Sequence, residues 1–169
     1  RLDVVKYLIG VGADVHGGND GALRWASEGG HLGVVKYLVG CGADVHAEDD
    51  GALRWASMEG HLEVVKFLIS NGEDVHVDDC ALRWASDGGH LEVVQFLIGV
   101  GADVHAEGDD ALRSASLEGH MEVVKSLVPK GTDVHAEEDE ALRWESKGGH
   151  LSQGAEVGCG SSIGCDVVL

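Results

Sequence analysis

Residues 22–51 read ALRWASEGGHLGVVKYLVGCGADVHAEDDG, and the same pattern returns with small changes from Ala52, Ala81, Ala111 and Ala141. Trp25, Trp55, Trp84 and Trp144 mark the beat, with Ser114 standing where a fifth Trp belongs, so the steps are 30, 29, 30 and 30 residues. The histidines repeat it twice over. His31, His61, His90, His120 and His150 form one series, His16, His46, His76, His105 and His135 the other, and together they account for all ten. A fixed period of this size means an array of units, each too small to hide its apolar face alone. The core is therefore expected to be linear, running through stacked neighbours.

One unit resolves into two short helices. Asp49, Asp50 or Gly51 can cap a first helix starting near Ala52, with Leu53 and Ala56 on one side and Gly60 able to end it in the left-handed conformation. A second helix follows from His61, with Leu62, Val65, Leu68 and Ile69 as its apolar stripe, and Gly72 closes it before an extended GEDVH segment. Helices this short are marginal in water, so packing between units must stabilise them. The boundaries are a partial unit over 1–21, units over 22–51, 52–80, 81–110 and 111–140, a degenerate start over 141–151, and an irregular Gly- and Ser-rich tail over 152–169.

Composition narrows the function. The chain has 169 residues, 44% of them apolar, and 12 Lys plus Arg against 30 Asp plus Glu, a formal charge of −18. A polyphosphate would meet like charge, so nucleic acid is not an expected partner. No apolar run is long enough to cross a bilayer, and no charged-then-apolar leader opens the chain. Cys41, Cys80, Cys159 and Cys165 form neither a CxxC pair nor a disulfide framework, which fits reduced thiols in the cytoplasm.

The segments GHLEVVKFLISNGEDVH (60–76) and GHLEVVQFLIGVGADVHA (89–106) resemble the second half of the ankyrin repeat. The resemblance recurs through residues 1–151. The first half departs from that family, since ALRWAS replaces its Thr-Pro-Leu-His start and places Arg24, Arg54, Arg83, Arg113 and Arg143 at the family's His. This variant resembles the short ankyrin repeats of giant DNA viruses. The resemblance implies an all-α solenoid of stacked helix-turn-helix units, with short loops in place of full β-hairpin fingers. It also implies a protein partner lying along the finger and first-helix face, and no cofactor.

Aligned to the family, the variable pair before each Gly-His is the candidate partner surface: Glu28, Met58 with Glu59, Asp87, and Leu117 with Glu118. A second candidate is the acidic loop edge, Asp49, Asp50, Asp78, Asp79, Asp109 and Asp110, which would draw in a basic partner and bind it in a salt-dependent way. The competing reading of these aspartates is that they cap the first helices. Metal is not expected: like-placed histidines in successive units lie roughly one helix-packing distance apart, 8–10 Å, beyond the ~4 Å that two ligands of one ion can span. The Gly-His histidines are read as starting the second helix, and the Asp-Val-His histidines as bonding loop backbone. Protonating all ten takes the formal charge from −18 to −8 (−18 + 10), so partner affinity is expected to change between about pH 7 and pH 5.

Trp25, Trp55 and Trp84 and the second-helix aromatics Tyr7, Tyr37, Phe67 and Phe96 recur at frame positions and are expected to pack between units. No nucleophile stands beside a His and a carboxylate outside the repeat, and no phosphate-binding glycine motif occurs, so an enzyme is not expected. The frame weakens toward the end: Ser114 replaces Trp, Ser126 replaces the aromatic, Pro129 falls near the end of a helix, and Glu145 takes a small apolar position. Arg1 falls in the middle of a unit, as in a fragment. The expected function is a monomeric protein-binding scaffold; the alternative is the targeting arm of a larger enzyme or ubiquitin-ligase adaptor.

Overall fold

A computed structural model describes residues 1–72 and 80–128. Asp78, Asp79, His76, His135, His150, Pro129, Trp144, Glu145 and the tail lie outside the described residues. Within them the chain forms α1 (Leu2–Gly10), α2 (Gly17–Glu28), α3 (Leu32–Gly40), α4 (Ala47–Met58), α5 (Leu62–Ser70), α6 (Cys80–Asp87), α7 (Leu91–Val100), α8 (Ala106–Leu117) and α9 (Met121–Leu127). No strand occurs among the described residues. The even-numbered helices are the first helices of their units and α1, α3, α5, α7 and α9 the second.

Each hairpin is joined by a Gly-His corner. Gly60 sits at φ +77, and the His61 N–H then donates to Ala56 O at 2.8 Å, closing α4 before α5 begins. First helices stack on first helices (α2 on α4, α4 on α6, α6 on α8) and second helices on second helices, the first layer being the tighter one. The core is one continuous strip. In unit after unit it comprises the Leu and Ala of the first helix (Leu23, Ala26; Leu53, Ala56; Leu82, Ala85; Leu112, Ala115) and the Val and Leu of the second (Val35, Leu38; Val65, Leu68; Val94, Leu97). Burying each Leu or Val is worth roughly 1.5–3 kcal/mol.

Two expectations are corrected by the packing. The stripe of α5 is centred on Val64, Val65 and Leu68, with Leu62 and Ile69 only half-buried, so the helix is rotated from the stripe read in sequence. Of the aromatics, Phe67 and Phe96 pack half-buried against the core, while Trp25 and Tyr7 stand outside it. Trp25 is 68% exposed, Trp55 and Trp84 are half-buried, and Tyr37, Phe67 and Phe96 sit at the rim of the second-helix layer. There they serve another purpose. Lys6 Nζ lies 5.7 Å from the Tyr37 ring centre, Lys36 Nζ 5.7 Å from Phe67, and Lys66 Nζ 5.9 Å from Phe96, so each unit's Lys clamps the aromatic of the next. At the following junction both partners change together, to Gln95 and Ser126.

The loops hold the largest departure from the reading above. Where an extended segment was expected to lead straight into the first helix, α2, α4 and α8 each open with a turn of left-handed conformation: Gly18-Asn19-Asp20, Glu48-Asp49-Asp50 and Glu107-Gly108-Asp109, with φ between +53 and +66 throughout. Right-handed helix resumes only after it. Left-handed backbone costs an L-residue roughly 1–2 kcal/mol, least for Asn and Asp, which together with Gly and Glu make up these turns.

Candidate functional site: the finger edge and the first-helix face

The left-handed turn persists because the Asp-Val-His segment before it is built to hold it. The His46 N–H donates to Asp44 Oδ1 at 3.0 Å, and the His46 ring Nδ1 pairs with Asp50 Oδ1 at 2.8 Å, four residues on, while the Asp50 N–H reaches back to His46 O at 3.4 Å. Units one and four repeat the arrangement: His16 Nδ1 to Asp20 Oδ1 at 3.1 Å and His105 Nδ1 to Asp109 Oδ1 at 2.9 Å. Asp20 and Asp109 are buried. Asp20 also accepts from the Asp44 N–H of the next unit at 3.1 Å, tying one finger to the next. The residues that precede α2, α4 and α8, His16, His46 and His105, make no side-chain cap bond. The Asp-Val-His histidine bonds a carboxylate where loop backbone was the expected partner.

With the inner carboxylates so engaged, Asn19, Glu48, Asp49 and Glu107 are left exposed at the turns. Asn19 Nδ2 donates to Glu48 Oε1 across adjacent fingers. Asp110 is half-buried and paired with Arg113. Arg83 lies over the Trp84 ring, 4.5 Å from its centre. Between α6 and the finger that opens α8 a cavity of about 390 Å³ lies on this edge, lined by Leu82, Arg83, Asp103, Glu107 and Asp110 among others.

The variable pairs stand at the other end of the first helices. Glu28, Glu59 and Glu118 are exposed; Met58, Asp87 and Leu117 are half-buried. The eight right-handed residues Gly51–Met58 put this row roughly 12 Å from the finger row at 1.5 Å per residue. The candidate residues thus form two rows, one along each end of the first-helix layer. Asp78 and Asp79 lie outside the described residues.

Sequence reasoning missed a role for the backbone of the second row. The His61 Nε2 donates to Glu28 O, His90 Nε2 to Met58 O and His120 Nε2 to Asp87 O, each at 2.8 Å. Each Gly-His histidine therefore staples its own hairpin to the exposed carbonyl ending the previous unit's first helix. The ring also lies against the corner glycine of that unit: a Cβ on Gly60 would come within 2.4 Å of the His90 ring. The signal was present, since Gly-His recurs at every corner, but nothing in the spacing says the His faces backward. Elsewhere, hydrogen bonding to the Cys41 side chain raises the Tyr37 phenol above its ordinary pKa. Among the described residues no three His, Cys, Asp or Glu converge as a metal site, and no helix is long and apolar enough to cross a membrane.

The family model described as ankyrin repeats (3 copies) matches residues 1–79 and 53–138. No curated protein matches the chain. Ankyrin repeats are in general protein–protein interaction modules without catalysis of their own. Paired helices in register, glycine corners and one continuous strip of buried Leu, Val and Ala agree with that match, and the chain belongs to the ankyrin-repeat family.

Proposed function

We propose that the chain is a protein-interaction scaffold that receives a basic segment of a protein partner along the finger edge and first-helix face. It acts as a monomer in the cytoplasm and does no chemistry of its own. The observation that carries this is the division of labour among the loop carboxylates. Asp20, Asp50 and Asp109 are engaged by histidines, while Glu48, Asp49 and Glu107 are turned to solvent on a molecule of formal charge −18. The cavity between α6 and the finger that opens α8 offers a recess for a side chain on the same edge. The exposed carboxylates steer a cationic partner and repel polyphosphate.

The test is affinity capture from the native cell, followed by binding measurements with the captured protein over a range of salt. The triple variant Glu48→Gln, Asp49→Asn, Glu107→Gln is expected to weaken binding about tenfold or more and to flatten its salt dependence. Affinity unchanged in that variant would overturn the reading.

A further inference from the structure

The second helices α1, α3, α5 and α7 each close on a residue followed by glycine: Val11-Gly12, Cys41-Gly42, Asn71-Gly72 and Val100-Gly101. Unit three alone puts an asparagine there. An asparagine side-chain amide is open to attack by the backbone nitrogen of the next residue, and glycine, with no Cβ, hinders that nitrogen least. The nitrogen must shed its proton, so a loosely held N–H favours the reaction.

This N–H is the most loosely held of its series. Gly72 N lies 3.4 Å from Ile69 O, against 3.0 Å for Gly12 to Ile9 O, 3.0 Å for Gly42 to Val39 O and 3.2 Å for Gly101 to Ile98 O. Both Asn71 and Gly72 are exposed, so water and hydroxide reach them. The restraint acts on the side chain: Asn71 Nδ2 donates to Phe67 O at 2.7 Å and to Ser70 Oγ at 3.2 Å, and the amide must leave these bonds before it reacts.

We propose that Asn71-Gly72 is a modification site at which the folded protein converts its own amide to an acid. Hydroxide removes the Gly72 N–H proton and the nitrogen attacks Asn71 Cγ. A Gly72 N–Cγ bond forms, the Cγ–Nδ2 bond breaks, and ammonia leaves after taking up a proton from water. Water then opens the five-membered ring. Attack at Cγ restores the original backbone with an Asp side chain. Attack at the main-chain carbonyl carbon of residue 71 routes the backbone through Cγ as isoaspartate. Both products carry a new carboxylate, taking the formal charge from −18 to −19 (−18 − 1). That charge stands at the negative end of the α5 dipole, where it is unfavourable, and the Asn71 donor to Phe67 O is lost.

The test is incubation of the native chain in mildly alkaline buffer, with ion exchange to follow the charge and peptide mapping to place it. Asn19, followed by Asp20, is the internal control. The expected result is an acidic species that grows with time and maps to residue 71 as Asp plus isoaspartate, while Asn19 keeps its amide. Asn71→Val, which installs the residue of units one and four, abolishes that species. The Asn71→Asp variant melts a few degrees below the parent. Conversion no faster at Asn71 than at Asn19, or conversion only after denaturation, would overturn the proposal.

Discussion

α1 and α5 are nearly the same peptide, LDVVKYLIG and LEVVKFLIS, and both are helices of nine residues. Their surroundings differ. Val64 and Leu68 of α5 are 1% and 0% exposed under the first helix of their own unit, whereas Val4 and Leu8, at the same register in α1, are 53% and 48% exposed. Helix formation in this chain follows local pattern, but the stability of any helix belongs to its neighbours. That is the behaviour of a one-dimensional array, in which each interface adds its own increment.

The comparison breaks most visibly by truncation. Leu68→Ala is expected to cost about 3 kcal/mol or more, because the site is enclosed and cannot collapse, and Leu8→Ala well under half of that. Denaturant unfolding followed by circular dichroism reads both, and equal losses would mean that α1 is covered after all. The histidine staples come next. His90→Ala removes the bond to Met58 O and empties the contact with Gly60, at about 1–3 kcal/mol, while His31→Ala, at an exposed ring, changes little. A His31 effect as large as that of His90 would assign the histidines to starting helices instead of joining units.

The smallest effect sharpens the picture at the junction where the clamp is lost. Restoring it with Gln95→Lys and Ser126→Phe is expected to add about 0.5–1 kcal/mol. The gain should appear only in the double variant, as a coupling energy in a double-mutant cycle. Additive single effects would show that the Lys and aromatic residues merely happen to lie near one another.

Much of this was legible in the sequence. Period, the helix pair and the glycine corners all follow from which residues recur, because stacking tolerates few side chains at the frame positions. The candidate surface was legible only as a set of residues. A run such as Glu48-Asp49-Asp50 shows three carboxylates, and no spacing rule says that the third turns inward to His46 while the first two face out. The tryptophans misled for a related reason. Recurrence marks a structural role, but it does not separate a core residue from one at the rim.

By itself, then, the sequence determined that the chain is a linear stack of short helix pairs with an acidic exterior. Periodicity and charge are properties of the chain, independent of how it folds. The tertiary structure alone decided which carboxylates remain outward, that the Gly-His ring reaches back to the previous unit's carbonyl, and that the fingers are left-handed turns. These depend on hydrogen bonds, some of them between groups 24 to 33 residues apart, and on backbone angles of positive φ; the histidines and aspartates recur in the sequence, but recurrence does not say which group each one reaches.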